Sequence, residues 1–147
     1  MFKVQKKILY AIEAVIDISI NSGTEPVQNI SIAQRQGIPK RYLEQTLQKL
    51  VQNKILVGSR GPKGGYRLSK EKRKIKLSDI IQAVSEESQI YSEHSSELSV
   101  KVIKPVIKKI SDKFLQYFNE ITVSELCEIA KKQNVQKNSQ KKVDFVI

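Results

Sequence analysis

Two short predicted helices followed at once by a glycine-rich hairpin leave few folds open to this chain of 147 residues. Apolar spacing and turn formers predict a helix over residues 30–36, with Asn29 as a possible N-cap and Gly37 as its terminator. Pro39 suits the first turn of a further helix that runs to Val51. Two helices joined by a tight glycine-containing turn are typical of a helix-turn-helix.

The hairpin is predicted from two short apolar, β-branched runs, 55–59 and 66–68, which flank the sequence Arg60-Gly-Pro-Lys-Gly-Gly65. A hairpin directly after a helix-turn-helix covers the open side of the small helical core. We therefore predict a mainly α fold with a small β-hairpin wing, that is, a winged helix.

The remaining pattern divides the chain into four parts. A first helix is predicted over 4–20 and a fourth over 77–84, while residues after 84 are rich in Ser and Glu and include His94. The predicted parts are a winged-helix domain (1–84), a mobile loop or linker (85–100), a dimerisation helix with a short C-terminal helix (101–133) and a polar, disordered tail (134–147).

The predicted dimerisation helix carries a wide apolar stripe. Its members step by four and three residues alternately over almost three heptads: Ile103, Ile107, Ile110, Phe114, Tyr117 and Ile121. Such a stripe needs a partner, so we expect residues 101–121 to pair two copies of the chain. Thr122 or Ser124 is expected to cap the last helix, over 125–132.

Charge points to a polyanionic partner. The net charge is +11, and residues 1–82 hold 16 basic against 6 acidic side chains, whereas 83–100 hold four Glu and no Lys or Arg. Nucleic acid or an anionic membrane surface would be attracted to such a field. The sequence contains no apolar run that could span a bilayer and no signal-peptide pattern, so we expect a cytoplasmic protein without a membrane-spanning segment.

The third helix separates an apolar face from a face of hydrogen-bonding side chains. The hydrogen-bonding face suits a DNA major groove. Lys40 and Arg41 can reach phosphates or guanine, Gln45 can pair with adenine, and Glu44 can accept from cytosine. The candidate DNA contacts on this helix are Lys40, Arg41, Tyr42, Glu44, Gln45 and Gln48. An ordinary solvated helix face would have a similar composition.

The hairpin adds Arg60, Lys63 and Arg67 as candidate DNA contacts, with Arg60 expected to enter the minor groove. A nucleotide-phosphate loop would share the glycines. However, this loop leads into a strand, and it matches neither the Walker nor the Rossmann spacing.

Catalytic and metal-binding patterns are missing from the sequence. One histidine and one cysteine, Cys127, provide no triad, dyad or zinc motif, so we expect no enzymatic activity and no metal site. Cys127, on a short amphipathic helix, is expected to be a small buried apolar residue rather than a redox switch.

Several motifs taken together resemble the bacterial winged helix-turn-helix transcription regulators whose family includes the iron–sulfur cluster regulator IscR. They lie in residues 26–27, 34–38, 42–45, 60–68 and 110–126. The resemblance implies a homodimeric DNA-binding protein on a palindromic operator. By position, it also implies that the recognition-helix contacts are Lys40, Tyr42, Glu44 and Gln45 and that the wing arginine is Arg60.

One departure from that family concerns its cofactor. The resemblance implies a [2Fe–2S] cluster held by three cysteines and a histidine before the dimerisation helix, yet residues 86–104 contain no cysteine. We therefore expect a repressor that works without a cofactor, controlled by no effector or by one that the sequence does not identify. Two alternatives stay open: a sensor of a [2Fe–2S] cluster or effector through non-standard ligands, and a winged-helix protein-interaction module.

Overall fold

The computed structural model describes residues 3–85 and 95–135, so His94 and most of the predicted loop and tail lie outside the described residues. The architecture is mainly helical with one two-stranded antiparallel sheet, which confirms the predicted fold class. The elements are α1 (Lys6–Asn21), α2 (Asn29–Gln36), α3 (Lys40–Gln52), β1 (Leu56–Ser59), β2 (Gly65–Leu68), a 3₁₀ turn (Lys72–Lys74), α4 (Leu77–Val84), a π-helical turn (Ser99–Ile103), α5 (Lys104–Asn119) and α6 (Val123–Lys132).

Helices α2 and α3 form the predicted helix-turn-helix, and α1 packs against both of them. Gly37, in the left-handed conformation with φ 65°, ends α2, and the extended Pro39 precedes α3. The N-cap prediction was wrong by one residue, because Gln28 holds that position and Asn29 is already helical. The core that these helices share includes Ala14, Ile18, Ile32, Leu43, Leu47 and Leu50.

The wing is an antiparallel hairpin as predicted, with pairing from Leu56↔Leu68 at its base to Ser59↔Gly65 near its tip. Val27, in the loop between α1 and α2, forms an isolated antiparallel bridge with Tyr66. The wing is therefore joined to the helical body through backbone as well as through side chains.

Helix α5 ends two residues before the C-terminal end of the predicted dimerisation helix, 101–121. It stops at Asn119, so Ile121 lies outside it, half-buried. The Ile121 carbonyl accepts from Leu77 N–H at 2.8 Å, which ties this position to the start of α4 instead of continuing the helix. At the other end, the π-helical turn extends the helical backbone to Ser99.

Helix α6 packs against α1 and completes the winged-helix core. Thr122 caps it, because the Glu125 N–H donates to Thr122 Oγ1 at 3.2 Å and the Glu125 carboxylate accepts from Thr122 N–H at 3.3 Å. Val123 and Cys127 are buried, and Cys127 Sγ lies 3.3 Å from Ser19 Oγ on α1. Within the described part of the chain, no helix is long and apolar enough to cross a membrane.

Candidate nucleic-acid interface

Helix α3 shows the predicted separation of faces. Leu43, Thr46, Leu47 and Leu50 are buried, and this anchors the helix along one side. The six predicted contacts on the other side are all exposed: Lys40, Arg41, Tyr42, Glu44, Gln45 and Gln48. The buried face thus fixes the helix while leaving its hydrogen-bonding side chains open to a groove.

An open cleft lies between α3 and the wing. Its lining brings Lys40, Glu44 and Gln48 of the helix together with Arg60 of the wing. Arg41, Tyr42 and Gln45 are exposed on α3 but do not line this cleft. A double helix seated on α3 would therefore meet the wing tip as well.

Three residues at the start of α2 line the same cleft, and the sequence did not suggest them as contacts. They are Gln28, Asn29 and Ile30, and the buried Oδ1 of Asn29 has no hydrogen-bond donor among the residues described. The one available signal was the helix start itself, where backbone N–H groups attract anions.

The three basic wing residues have different surroundings. Arg60 is exposed at the tip. Lys63 lies 4.0 Å from Glu25, with both side chains largely exposed, so this ion pair contributes little. Arg67 instead donates to two backbone carbonyls, Gly23 O at 2.7 Å and Thr24 O at 2.5 Å. Its guanidinium is therefore directed at the loop between α1 and α2.

A buried ion pair joins α1 to α2. The Asp17 side chain is fully buried, and its oxygens accept from Arg35 at 2.7 and 2.9 Å and from Gln36 Nε2 at 2.7 Å. The hydrogen bond to Asp17 raises the pKa of Arg35 above its usual value. The sequence signal was an acidic residue on the apolar face of α1. This pair holds α2 in place and withdraws Arg35 from the surface.

The comparisons with known proteins agree with this geometry. The model of the Rrf2 family, described as an iron-dependent transcriptional regulator, matches residues 4–129. The chain belongs to the Rrf2 family. The resemblance noted in the sequence is thereby confirmed.

Individual Rrf2-family relatives cover most of the chain. The transcriptional regulator IscR of Enterobacter sp. (strain 638) is 34% identical over 80% of this chain and 74% of its own length. The structure of T. potens IscR is 31% identical with a TM-score of 0.73, covering 90% of this chain and 91% of that one. CymR of B. subtilis, called a global cysteine regulator, is 26% identical with a TM-score of 0.68, covering 88% and 98% respectively.

These relatives are transcription regulators and not enzymes, as predicted for this chain. The protein is accordingly a DNA-binding transcription regulator of the Rrf2 type with a winged-helix fold.

The residues present do not fit the [2Fe–2S] ligand set that the sequence resemblance implies. The sequence holds a single cysteine, Cys127, which is buried against α1. Across residues 3–85 and 95–135, no three His, Cys, Asp or Glu side chains come together as a metal site. A thiolate set of three cysteines cannot be assembled from one copy of this chain.

Proposed function

We propose that this Rrf2-family regulator binds a palindromic operator as a homodimer and represses transcription by occluding the promoter. The observation that supports it best is the shared cleft, in which the outer face of α3 and Arg60 of the wing face the same space. One duplex can then meet α3 in its major groove and the wing beside it.

The side chains divide by the part of the duplex that they would contact. Gln45 can read adenine with both ends of its amide, and Glu44 can accept from cytosine while it disfavours other bases. Lys40 and Arg41 suit phosphate or guanine, Tyr42 and Gln48 suit the backbone or base edges, and Lys63 suits phosphate. Arg60 has the length and exposure to enter a minor groove.

Pairing of two copies is supported by the apolar stripe on α5 and the turn before it. Ile103, Ile107, Ile110, Phe114 and Tyr117 are between 37% and 67% exposed. A contiguous apolar stripe of this length costs free energy in water, and a second copy crossing it would remove that cost. Residues 101–119 are therefore proposed as the dimer contact, with Ile121 at its margin.

We also propose that operator binding needs no bound cluster, because the chain lacks the thiolates that would hold one. The regulator then acts without a cofactor, or through an effector of another chemical class.

The test begins with selection of genomic fragments bound by the purified protein, followed by footprinting and titration on the selected site. We expect a two-fold symmetric footprint and, with Arg60→Ala, a loss of affinity. Lys70→Ala, at the opposite end of the hairpin, removes the same charge and should leave affinity close to that of the unmodified protein. Transcription in vitro should fall when the protein occupies the promoter. Failure to retain any fragment at low ionic strength, or activation of the transcript, would contradict the proposal.

A further inference from the structure

The wing is attached to the helical body by more than its own two strands. Val27 N–H donates to Tyr66 O at 3.0 Å, and Tyr66 N–H donates to Val27 O at 2.8 Å. Next to this bridge, a Cβ on Gly65 would lie 2.4 Å from the Val27 carbonyl oxygen, so only glycine permits the approach. The α1–α2 loop thus acts as a short third strand beside β2.

Arg67 adds a side-chain tether at the same place. It is in the register position opposite Val57, and its two terminal nitrogens donate to the consecutive carbonyls of Gly23 and Thr24. A planar guanidinium presents two nitrogens in a rigid fork, one for each carbonyl, whereas a lysine ammonium has a single nitrogen on a flexible chain that would have to serve both acceptors. On the other side of the bridge, Gln28 Nε2 donates to the Pro62 carbonyl at 3.3 Å, close to the wing tip.

These contacts bear on how the wing reaches DNA. An isolated two-stranded hairpin is only marginally stable in water, and a mobile wing would lose conformational entropy when it binds. A wing that is already fixed avoids that loss. Arg60 follows directly after the last strand pair, Ser59↔Gly65, at the wing tip. The orientation of Arg60 would therefore depend on how Arg67 holds the wing.

We infer that Arg67 is a positioning residue: it holds β2 against the α1–α2 loop and so fixes the direction from which Arg60 approaches the duplex, without itself contacting DNA. The inference rests on the proposed function for its effect on DNA binding. The tether itself is a property of the protein without DNA, so the two can be tested separately.

The first test is amide hydrogen exchange of the full chain without DNA. In Arg67→Lys, which keeps the charge but loses the two-acceptor geometry, the amides of Val27 and Tyr66 should exchange about tenfold faster, whereas the amides of α3 keep their rates. Lys70→Met serves as the control for an exposed basic residue. Unchanged exchange at Val27 and Tyr66 would overturn the tether.

The second test is a double-mutant cycle on the selected operator. Arg67→Met should weaken binding about tenfold in the unmodified background and have little further effect in Arg60→Ala, because the two act through one contact. Arg67→Lys should weaken binding to a similar extent, because it keeps the charge but not the two-acceptor geometry, and urea unfolding midpoints identify any loss caused by instability. Losses that simply multiply in the double variant would show that Arg67 acts independently of Arg60.

The two proposals fail in different ways. If the unmodified protein binds no DNA, the proposed function fails, and the role of Arg67 in DNA binding fails with it, while hydrogen exchange still decides whether the tether exists. If DNA binds and exchange at the bridge is unaffected by Arg67→Lys, only the positioning role fails.

Discussion

At the scale of single residues, side chains were predictable where one element determines their surroundings. The exposure of Lys40, Glu44 and Gln45 follows from helical periodicity, because about 100° per residue separates them from the buried leucines. Asp17 and Arg67 were not predictable in this way. Their partners lie 18 and 44 residues away, so only the folded chain brings them together.

The buried ion pair yields a prediction about stability. Asp17→Asn removes the charge that compensates Arg35, and we expect a loss of about 3 to 5 kcal/mol in the free energy of unfolding, measured by urea denaturation. Glu25→Gln is the matched control, because its ion pair with Lys63 is exposed and should contribute about 1 kcal/mol or less. Equal losses in both variants would contradict the importance of burial.

Two substitutions on α3 distinguish reading of bases from attraction to phosphate. Gln45→Ala should reduce discrimination by about 1 to 3 kcal/mol at one base pair and leave other positions unchanged. Lys40→Ala should weaken all sequences alike and lower the salt slope by about 0.9 for each lost phosphate contact. Titration of single-base operator variants at several salt concentrations measures both. A uniform loss with Gln45→Ala would contradict its assignment to a base.

At the scale of elements, the sequence predicted where helices begin and end better than what they pack against. Gly37 and Pro39 delimit α2 and α3 by local backbone preferences alone. The end of α5 was missed because it depends on a backbone contact between Ile121 and Leu77, which are distant in sequence. The packing of α6 on α1 is likewise a tertiary choice that its amphipathic pattern does not specify.

The choice between two caps for α6 can be checked directly. Thr122→Ala removes the hydroxyl that accepts from Glu125 N–H and should cost about 1 kcal/mol of unfolding free energy. Ser124→Ala, two residues further on and already inside the helix, should cost less. Thermal or urea unfolding of the two variants provides the comparison, and the reverse order would contradict the observed cap.

The stripe on α5 predicts the oligomeric state. Ile110 is 43% exposed near the middle of the stripe, and Ile110→Asp should convert a dimer to monomers and reduce operator affinity with it. Gln116→Asp introduces the same charge on the opposite side of α5 and should leave the dimer intact. Sedimentation velocity measures the oligomeric state of both variants. A monomeric variant with full operator affinity would contradict the coupling of pairing to binding.

At the scale of the whole molecule, the fold class followed from the order of helices and glycines, whereas the DNA-binding face that the charges indicate stays a prediction. The absence of a [2Fe–2S] cluster is predicted from composition, because one cysteine cannot replace the three cysteine ligands that the family resemblance implies. Protein purified without oxygen should contain no stoichiometric iron and show no visible absorbance, and an iron chelator should leave operator affinity unchanged. Stoichiometric iron and sulfide, lost together with DNA binding on chelation, would contradict this prediction.

The return of α6 to α1 limits how the molecule can be divided. A fragment ending at Val84 would lack Val123 and Cys127 and would leave the flank of α1 beside Ser19 uncovered. It would also lose the partners of Ile75 and Ser78, which Val123 N–H and Asn119 Oδ1 provide. The shortest DNA-binding fragment that folds by itself must therefore retain α5, which connects the rest of the domain to α6. Fusing residues 1–84 alone to another oligomerisation module would require new side chains to cover the part of the core that α6 covers here.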